Sequence, residues 1–390
     1  MTAATPPELP VRLREALTNG VPQDGHRLAV RRVWPTDPGD PQAGYVLECQ
    51  APEGAVAARL DARGSRLLTD DEIAAVLPHL HVWQQAGGWV LAHRAHKRAV
   101  LAMPDGTFVK LAKKSATRRA LARAAGVDAL LGGVIGAPQR PEFVDSDAGR
   151  GWLRLARARG AELDEVLAAS DPARAAACAH AVAGALTSMA GVRAAAQTRA
   201  EVDLPTHTGA HEAVILRSWA VVAAQTAPAG ALSPAQADQL VRRAEALADR
   251  LEREPALDGA SPRFAATAVL AHRDLHEGQI LVEAAERGSG EPTPPVTFLD
   301  WDTAAWTHPA LDVANLLAHV QRAAALGSQP GYEVFEQALT ERLRALDHPA
   351  LSESDRGVLD LLRDAARLRV FAVHAFRHCA RRPLDVAALG

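Results

Sequence analysis

The chain has 390 residues, of which 48% are hydrophobic and 23% are charged, and its formal net charge at pH 7 is -3. This composition is typical of a globular protein and gives no global attraction to nucleic acid or to a membrane surface. A chain of this length is longer than a domain with a single hydrophobic core usually is, so two or three packed units are expected.

The cysteine content and the hydropathy of the sequence indicate in which cellular compartment the protein is expected. Cys49, Cys178 and Cys379 are widely spaced and odd in number, so they form no metal or disulfide pattern and fit a reducing compartment. The opening run MTAATPP lacks the basic and apolar regions of a leader, and no apolar run reaches the ~18 residues of a membrane span. We therefore expect a cytoplasmic protein without a nucleic-acid or membrane partner.

Residues 1–80 are predicted to form an accessory α/β cap. Helical periodicity covers residues 8–18. Three strand-like stretches follow, at residues 27–33, 44–49 and 55–60. Thr69 and Glu72 form a capping-box pattern, which predicts a short helix up to residue 77.

Residues 81–158 are predicted to form a small β-rich lobe. Its strand-like stretches lie at residues 89–92, 98–102, 107–111, 142–144 and 151–155. The turn MPDG at residues 103–106 joins the second stretch to the third. A helix is predicted over residues 115–125, between the third and fourth strands.

Residues 159–390 are predicted to form a large helical lobe. Amphipathic helices are predicted at residues 171–192, 208–226, 233–253, 309–326, 331–346 and 352–379. The segment 286–295 is rich in Gly, Pro and Ser and is expected to be an exposed hairpin loop between two short strands. The fold class is therefore α+β, with a cap, a small β-rich lobe and a large helical lobe.

One part of the helical lobe combines three groups that phosphoryl transfer needs. The run HRDLHEGQIL at residues 272–281 contains Asp274, which can take a proton from a hydroxyl, and Gln279 five residues on. The run FLDWD at residues 298–302 contains Asp300. Carboxylate and amide oxygens are hard ligands that suit Mg²⁺. We therefore predict Asp274 as the catalytic base, and Gln279 and Asp300 as metal ligands.

Plain structural interpretations exist for the same residues. Asp274 would then only cap a turn, and Gln279 would only hydrogen-bond its own loop and leave Asp300 as the one metal ligand. Their joint spacing favours the catalytic interpretation. Asp302 would share a strand face with Asp300 and is a further candidate for the metal or acceptor site. Asp312 opens a predicted helix, where it stabilises the helix dipole, and we expect it also to brace the catalytic loop.

Lys110 is the one cation of the predicted third strand, and we predict that it binds nucleotide phosphates as a point charge. It lies in the stretch 94–123, which carries nine cations against the single acid Asp105, a local charge of +8. Such a field attracts polyphosphate. The alternatives are a surface lysine on an edge strand and a solvated cationic face.

His207, His211 and Glu212 cluster where a helix is predicted to begin. Two histidines four residues apart share a face only if both are helical, and His207 precedes the predicted start. The interpretation as a helix start is therefore favoured over a metal site.

Three runs of the sequence resemble motifs of the aminoglycoside phosphotransferase / choline kinase family. They are HRDLHEGQILV at residues 272–282, FLDWD at 298–302 and HPALDVA at 308–314. The likeness covers roughly residues 81–380. It implies a protein-kinase-like fold, in which the nucleotide lies in the cleft between a small β-rich lobe and a helical lobe.

The resemblance also implies roles for individual positions. Asp274 would be the catalytic base, Asp300 the main Mg²⁺ ligand and Lys110 the nucleotide-binding lysine. Gln279 stands where the family usually has Asn. Residues 152–157 resemble the strand that leads into the hinge.

The sequence departs from the family pattern in the small lobe as well. The turn at residues 93–97 contains no glycine, so the glycine-rich loop that covers phosphates is absent. The helix 115–125 contains no acid to pair with Lys110, and Asp128 and Glu142 are distant substitutes.

We therefore predict a phosphotransferase that uses ATP or GTP with Mg²⁺ and acts on a hydroxyl of a small polar molecule, such as an aminoglycoside, a sugar, an amino sugar or an amino alcohol. The alternative is a nucleotide-binding regulatory pseudokinase with weak or no turnover. A protein kinase fits poorly, because the eight residues between Asp300 and Pro309 leave no room for a peptide-binding activation loop.

Overall fold

The fold was derived from a computed structural model, which describes residues 8–37, 43–169, 171–193, 202–227, 229–283, 294–327 and 329–377. Most of the predicted loop 286–295 and the end of the last predicted helix, at Cys379, lie outside these residues. Cys49 and Cys178 are buried free thiols.

The described α-helices are α1 (Leu9–Asn19), α2 (Asp70–Ala74), α3 (Leu80–Gln85), α4 (Lys114–Leu131), α5 (Leu163–Ala168), α6 (Pro172–Gly191), α7 (Gly209–Thr226), α8 (Pro234–Arg253), α9 (Pro262–Thr267), α10 (Ala310–Gly327), α11 (Pro330–Ala345) and α12 (Arg356–Arg377). The described strands are β1 (Val21–Gln23), β2 (His26–Pro35), β3 (Tyr45–Ala51), β4 (Gly54–Asp61), β5 (Gly64–Leu67), β6 (Trp89–Arg94), β7 (Arg98–Ala102), β8 (Phe108–Ala112), β9 (Phe143–Asp147), β10 (Trp152–Leu155), β11 (Ala161–Glu162), β12 (Val269–Ala271), β13 (Ile280–Val282), β14 (Val296–Phe298) and β15 (Ala305–Thr307). Every helix predicted from periodicity is present. The elements that were not predicted have two to six residues, because so short a run shows no clear period: β1, β5, β11, β15, α3, α5 and α9.

A single ten-stranded sheet holds the strands of the first 155 residues, in the order β1-β2-β3-β4-β6-β7-β8-β10-β9 with β5 paired to β4. The joint between β4 and β6 is parallel and pairs Gly54 with Val90. Gly54 has a φ of 122°, and a Cβ atom there would lie 2.6 Å from the Val90 carbonyl oxygen, so only glycine allows this approach. The predicted cap and the small lobe thus share one sheet, while their division at residue 80 stays a prediction.

The N-terminal unit, defined here as residues 9–67, packs α1 on its strands and also contacts the helical lobe. Leu13 of α1 is buried in one cluster with Leu47 of β3 and Val222 of α7. The Tyr45 hydroxyl donates a hydrogen bond to the Thr226 carbonyl at the end of α7. The unit is therefore attached to both lobes.

The helical lobe is built from pairs of amphipathic helices. In α8, one face buries Leu240, Ala244, Ala248 and Leu251, at the spacing of a helix that packs on one side. This face packs against α7, while α6 packs against α11 and α10 against α12. Among the described helices, none combines the length and the apolar character that a membrane crossing requires.

Candidate active site

The predicted catalytic loop, residues 272–279, lies between two short strand pairs. β12 pairs with β15 before the loop, and β13 pairs with β14 after it. The backbone N–H of Leu299 donates to the Gln279 carbonyl at 2.9 Å. This pairing places Gln279 beside the segment that contains Asp300, as the sequence spacing indicates.

A buried carboxylate of α10 holds the start of the loop. Asp312 is 3% exposed, and its two oxygens accept the backbone N–H groups of His272 and Arg273, each at 2.7 Å. Burial raises the pKa of this carboxyl, although both N–H groups and the nearby His272 and Arg273 favour its charged form. The expectation that Asp312 braces the catalytic loop is confirmed.

The brace holds an unusual backbone conformation. Arg273 has a φ of 73°, in the left-handed region that side chains rarely adopt. The Asn315 side chain donates to the Arg273 carbonyl at 2.7 Å and fixes the same residue from a second side. Asp274 follows directly, with an exposed side chain, while Leu275 is buried beneath it. The predicted base therefore lies at the surface of a loop that buried neighbours fix.

Lys110 and Asp300 meet across the two lobes. The Lys110 ammonium lies 2.6 Å from Oδ1 of Asp300, and the Arg98 guanidinium lies 3.3 Å from its Oδ2. Burial alone would raise the pKa of Asp300, but Lys110 and Arg98 together hold that pKa below its usual range. The carboxylate is therefore charged at neutral pH and is paired with both cations.

Asp302 also contacts Lys110, although its backbone differs from the prediction. The expected strand is absent at this position, because Asp300 has a φ of 59° and residues Trp301–Thr303 form a 3₁₀ turn. The Asp302 carboxylate nevertheless pairs with the Lys110 ammonium, and Arg123 donates to the Asp302 carbonyl. Three cations of the stretch 94–123 thus converge on this acidic segment.

The acidic partners of Lys110 come from the helical lobe. Asp128, named as a distant substitute on α4, pairs with Arg140 instead. Sequence reasoning missed Asp300 and Asp302 as the partners, because the contact joins residues 190 positions apart in the chain and no local signal marks it.

Gln279 has the property expected of a metal ligand. Its side-chain carbonyl oxygen is buried and accepts no hydrogen bond from any described residue. Leaving a buried acceptor without a partner costs roughly 1–3 kcal/mol, a cost that a bound cation would remove. Together with the Asp300 carboxylate, this oxygen gives a donor set of hard ligands that fits Mg²⁺.

Two histidines and a glutamate lie where the loop 272–279 contacts α10. Among the described residues, His276, Glu277 and His319 bring their potential ligand atoms within 4.8 Å of one another. However, Nδ1 of His276 accepts the Gly278 N–H at 3.1 Å, so the proton of this neutral ring lies on Nε2 and no lone pair faces a cation. The group instead packs the loop on α10, where the two imidazole rings stack with centroids 5.0 Å apart.

The second histidine group is a helix start, as favoured from the sequence. His207 lies 2.5 Å from the Glu212 carboxylate, and both residues are buried. Nδ1 of His211 accepts the Thr208 N–H at 3.1 Å and completes the cap of α7. The contacts thus engage Nε2 of His207 and Nδ1 of His211 in holding the start of α7.

Comparison with known proteins identifies the class. Residues 90–346, more than half of the chain, match the family described as the phosphotransferase enzyme family, APH. The chain therefore belongs to this phosphotransferase family, and the predicted resemblance is confirmed. No functionally curated protein matches the sequence significantly.

Three solved structures are similar to this chain at low sequence identity. The aminoglycoside phosphotransferase APH(3'')-Id from Streptomyces rimosus is 19% identical, with a TM-score of 0.50 over 77% of this chain and 99% of that one. The streptomycin-ATP complex of APH(2")-IIa is 13% identical, with a TM-score of 0.48 over 79% and 91%. A glucosamine kinase bound to glucosamine, ADP and inorganic phosphate is 18% identical, with a TM-score of 0.43 over 96% of each chain. The first of these likenesses bears out the α+β, kinase-like fold class.

Proposed function

We propose that this protein transfers the γ-phosphate of ATP or GTP to a hydroxyl of a small polar molecule. The observation that carries the proposal is the meeting of Lys110 and Asp300 across the lobes, 2.6 Å apart, beside the braced loop that presents Asp274. The proposal makes this ion pair the phosphate-binding cation and the metal-binding carboxylate, and makes Asp274 of the neighbouring loop the base.

Each residue has a defined part in the reaction. Lys110 and Arg98 bind phosphate oxygens and offset their negative charge. Asp274 orients the acceptor hydroxyl and accepts its proton while the acceptor oxygen bonds to phosphorus and the bond to the leaving diphosphate oxygen breaks. Asp300 and Gln279 would hold Mg²⁺, which neutralises phosphate charge when bound.

The short connection after Asp300 supports a small acceptor. The 3₁₀ turn Trp301–Thr303, the strand β15 and the helix α10 follow one another directly. No segment there is long enough to form a platform for a peptide. An aminoglycoside, a sugar, an amino sugar or an amino alcohol is therefore the acceptor class that we propose.

The test uses purified protein with Mg²⁺ and either ATP or GTP against a panel of hydroxyl acceptors. The panel includes streptomycin and glucosamine, which two of the similar proteins bind. We expect phosphate transfer to at least one acceptor, and a loss of about 10²–10⁴-fold in kcat for Asp274→Asn with nucleotide affinity retained. Unchanged turnover in Asp274→Asn would rule out this residue as the base.

The alternative is a nucleotide-binding pseudokinase, and the direct pairing of Lys110 with Asp300 favours it, since this pairing occupies the proposed metal ligand. Thermal shift with ATP, with and without Mg²⁺, separates the two functions. Stabilisation that depends on Mg²⁺ together with phosphate transfer supports the enzyme. Stabilisation without dependence on metal, and no transfer to any acceptor, supports the binding module.

A further inference from the structure

The turn between β6 and β7, residues 93–98, lies at the edge of the proposed phosphate site. Its last residue, Arg98, contacts Oδ2 of Asp300 at 3.3 Å. The turn contains no glycine, and His96 takes the left-handed conformation with a φ of 59°. In kinase-type sites a flexible glycine-rich loop covers the phosphates at this place. Here the covering segment contains ordinary side chains, three of them cationic.

These cations repel one another. Burial lowers the pKa of Lys97, and the nearby charges of Arg94, Arg98 and Lys113 lower it further. Like charges this close favour a turn that moves away from the sheet and separates them. Contacts from outside the turn oppose this repulsion and help to keep the turn folded over the site.

Glu48 of the N-terminal unit supplies the first such contact. Its Oε2 accepts the backbone N–H of His93 at 2.7 Å, and the two residues are 0% and 3% exposed. Glu48 lies within the apolar strand β3, where a buried carboxylate is costly unless it is hydrogen-bonded. Because this hydrogen bond is buried from water, it fixes the first residue of the turn.

The next two residues of the turn contact the same unit. The Arg94 guanidinium lies over the Trp34 ring, 5.1 Å from its centroid. Ala95 is buried in a cluster with Trp34 and with Val46 and Ala57 of the N-terminal unit. Three consecutive residues, His93 to Ala95, are thus held by a hydrogen bond, a cation–π contact and apolar packing.

We propose that the N-terminal unit holds the β6–β7 turn over the nucleotide phosphates, with Glu48 and Trp34 as positioning residues that replace the function of a glycine-rich loop. The inference rests on the proposed function, because it assigns a role in nucleotide binding to residues outside the cleft. Neither residue touches the reacting atoms. Both act through the backbone and side chains of the turn.

The test compares Glu48→Ala with Glu48→Gln, which keeps a carbonyl oxygen for the His93 N–H. Hydrogen–deuterium exchange of residues 93–98 without nucleotide reports the anchoring alone. Calorimetric titration with a non-hydrolysable Mg²⁺-ATP analogue reports its consequence. We expect faster exchange and about 10-fold weaker binding for Glu48→Ala, and values close to wild type for Glu48→Gln.

Two further variants complete the design. Trp34→Leu keeps a buried apolar side chain but removes the ring face, and we expect about threefold weaker nucleotide binding. Glu53→Ala removes an exposed acid from the same unit and serves as the matched control, which should bind as wild type does. In turnover, Glu48→Ala and Trp34→Leu should raise KM for ATP while kcat and KM for the acceptor stay unchanged.

The outcomes separate the inference from the proposed function. Normal nucleotide binding by folded Glu48→Ala and by Trp34→Leu overturns the positioning role, and so does a Glu48→Gln variant as weak as Glu48→Ala. If the wild-type protein binds neither ATP nor GTP, the proposed function is wrong. The exchange data then still show whether the unit holds the turn.

Discussion

The catalytic loop and the β6–β7 turn lie on opposite sides of the site, and each is held by one buried carboxylate. Asp312 accepts two backbone N–H groups of the loop, and Glu48 accepts one of the turn. Asp312 belongs to the same lobe as the loop it holds, whereas Glu48 belongs to the N-terminal unit, outside the small lobe that contains the turn. The comparison teaches that the part shared with the family is braced from within, and the part that departs from it is braced from outside.

The largest effect is expected from removing Asp312, the carboxylate that holds the catalytic loop from within its own lobe. Asp312→Ala leaves two buried N–H groups without an acceptor, at a cost of about 2–6 kcal/mol, since each donor costs about 1–3 kcal/mol. Stability is measured by chemical denaturation, and kcat should fall at least about 100-fold because the loop loses its fixed geometry. Asp238→Ala, which removes an exposed acid from α8, is the control. A stable and active Asp312→Ala would mean that the loop keeps its shape without the brace.

The far end of the catalytic loop gives the next effect. Gln279→Leu removes the unpartnered buried oxygen while keeping the side-chain size. We expect the Mg²⁺ concentration for half-maximal activity to rise about 10-fold, because one hard ligand is lost. Thermal stability without metal should be unchanged or higher, because an unsatisfied acceptor is removed. An unaltered Mg²⁺ requirement would leave Asp300 as the one ligand of the pair.

The support that the N-terminal unit gives to the β6–β7 turn depends on the joint between β4 and β6 as well as on Glu48. Gly54→Ala places a Cβ atom against the Val90 carbonyl at a φ of 122° and should lower stability by about 1–3 kcal/mol. Gly64→Ala is the matched control, since Gly64 has the same φ of 122° but no atom within 4 Å of its Cβ position. The difference between their melting temperatures measures the close approach of β4 to β6. Equal losses in the two variants would show that backbone strain alone matters at this joint.

The smallest effect is expected from the Glu72 carboxylate of α2. The hydrogen bonds of Arg66 and the Thr69 N–H lower the pKa of Glu72 to about 2. Since the folded pKa is lower than the ordinary value, its stability contribution is present above pH ~4.3 and is lost as the pH falls towards 2. Glu72→Gln should remove this small acid dependence in urea titrations at several pH values. If Glu72→Gln lowered the free energy of unfolding as much as Asp312→Ala does, burial would not determine how much these carboxylates stabilise the protein.

The features that could be predicted from the sequence are those that depend on a local pattern of residues. The long helices and the alternating strands were predicted correctly because their hydrophobic periodicity depends only on residues that are close together in the chain. Asp312 was predicted as a brace because its motif places it at a helix start. Glu48 was missed, although a single acid within the apolar strand β3 is a usable signal for a buried hydrogen bond.

The remaining features depend on contacts between distant parts of the chain. The joint of β4 to β6 rests on the single pair Gly54–Val90, which no periodicity marks. The pairing of Lys110 with Asp300 also joins separate lobes. Asp302 was placed on a strand, and the prediction was wrong because the left-handed backbone of Asp300 ends the strand there. The roles of Asp274, Lys110, Gln279 and Asp300 stay proposals until turnover is measured.

The bond from Tyr45 to Thr226 has a geometric consequence for lobe motion. The small lobe joins the helical lobe through the chain at residues 156–160, and the N-terminal unit adds a second attachment at α7. Each attachment between two bodies restricts the directions in which they can rotate against each other. We therefore expect the attachment at α7 to limit twisting of the small lobe when the cleft opens.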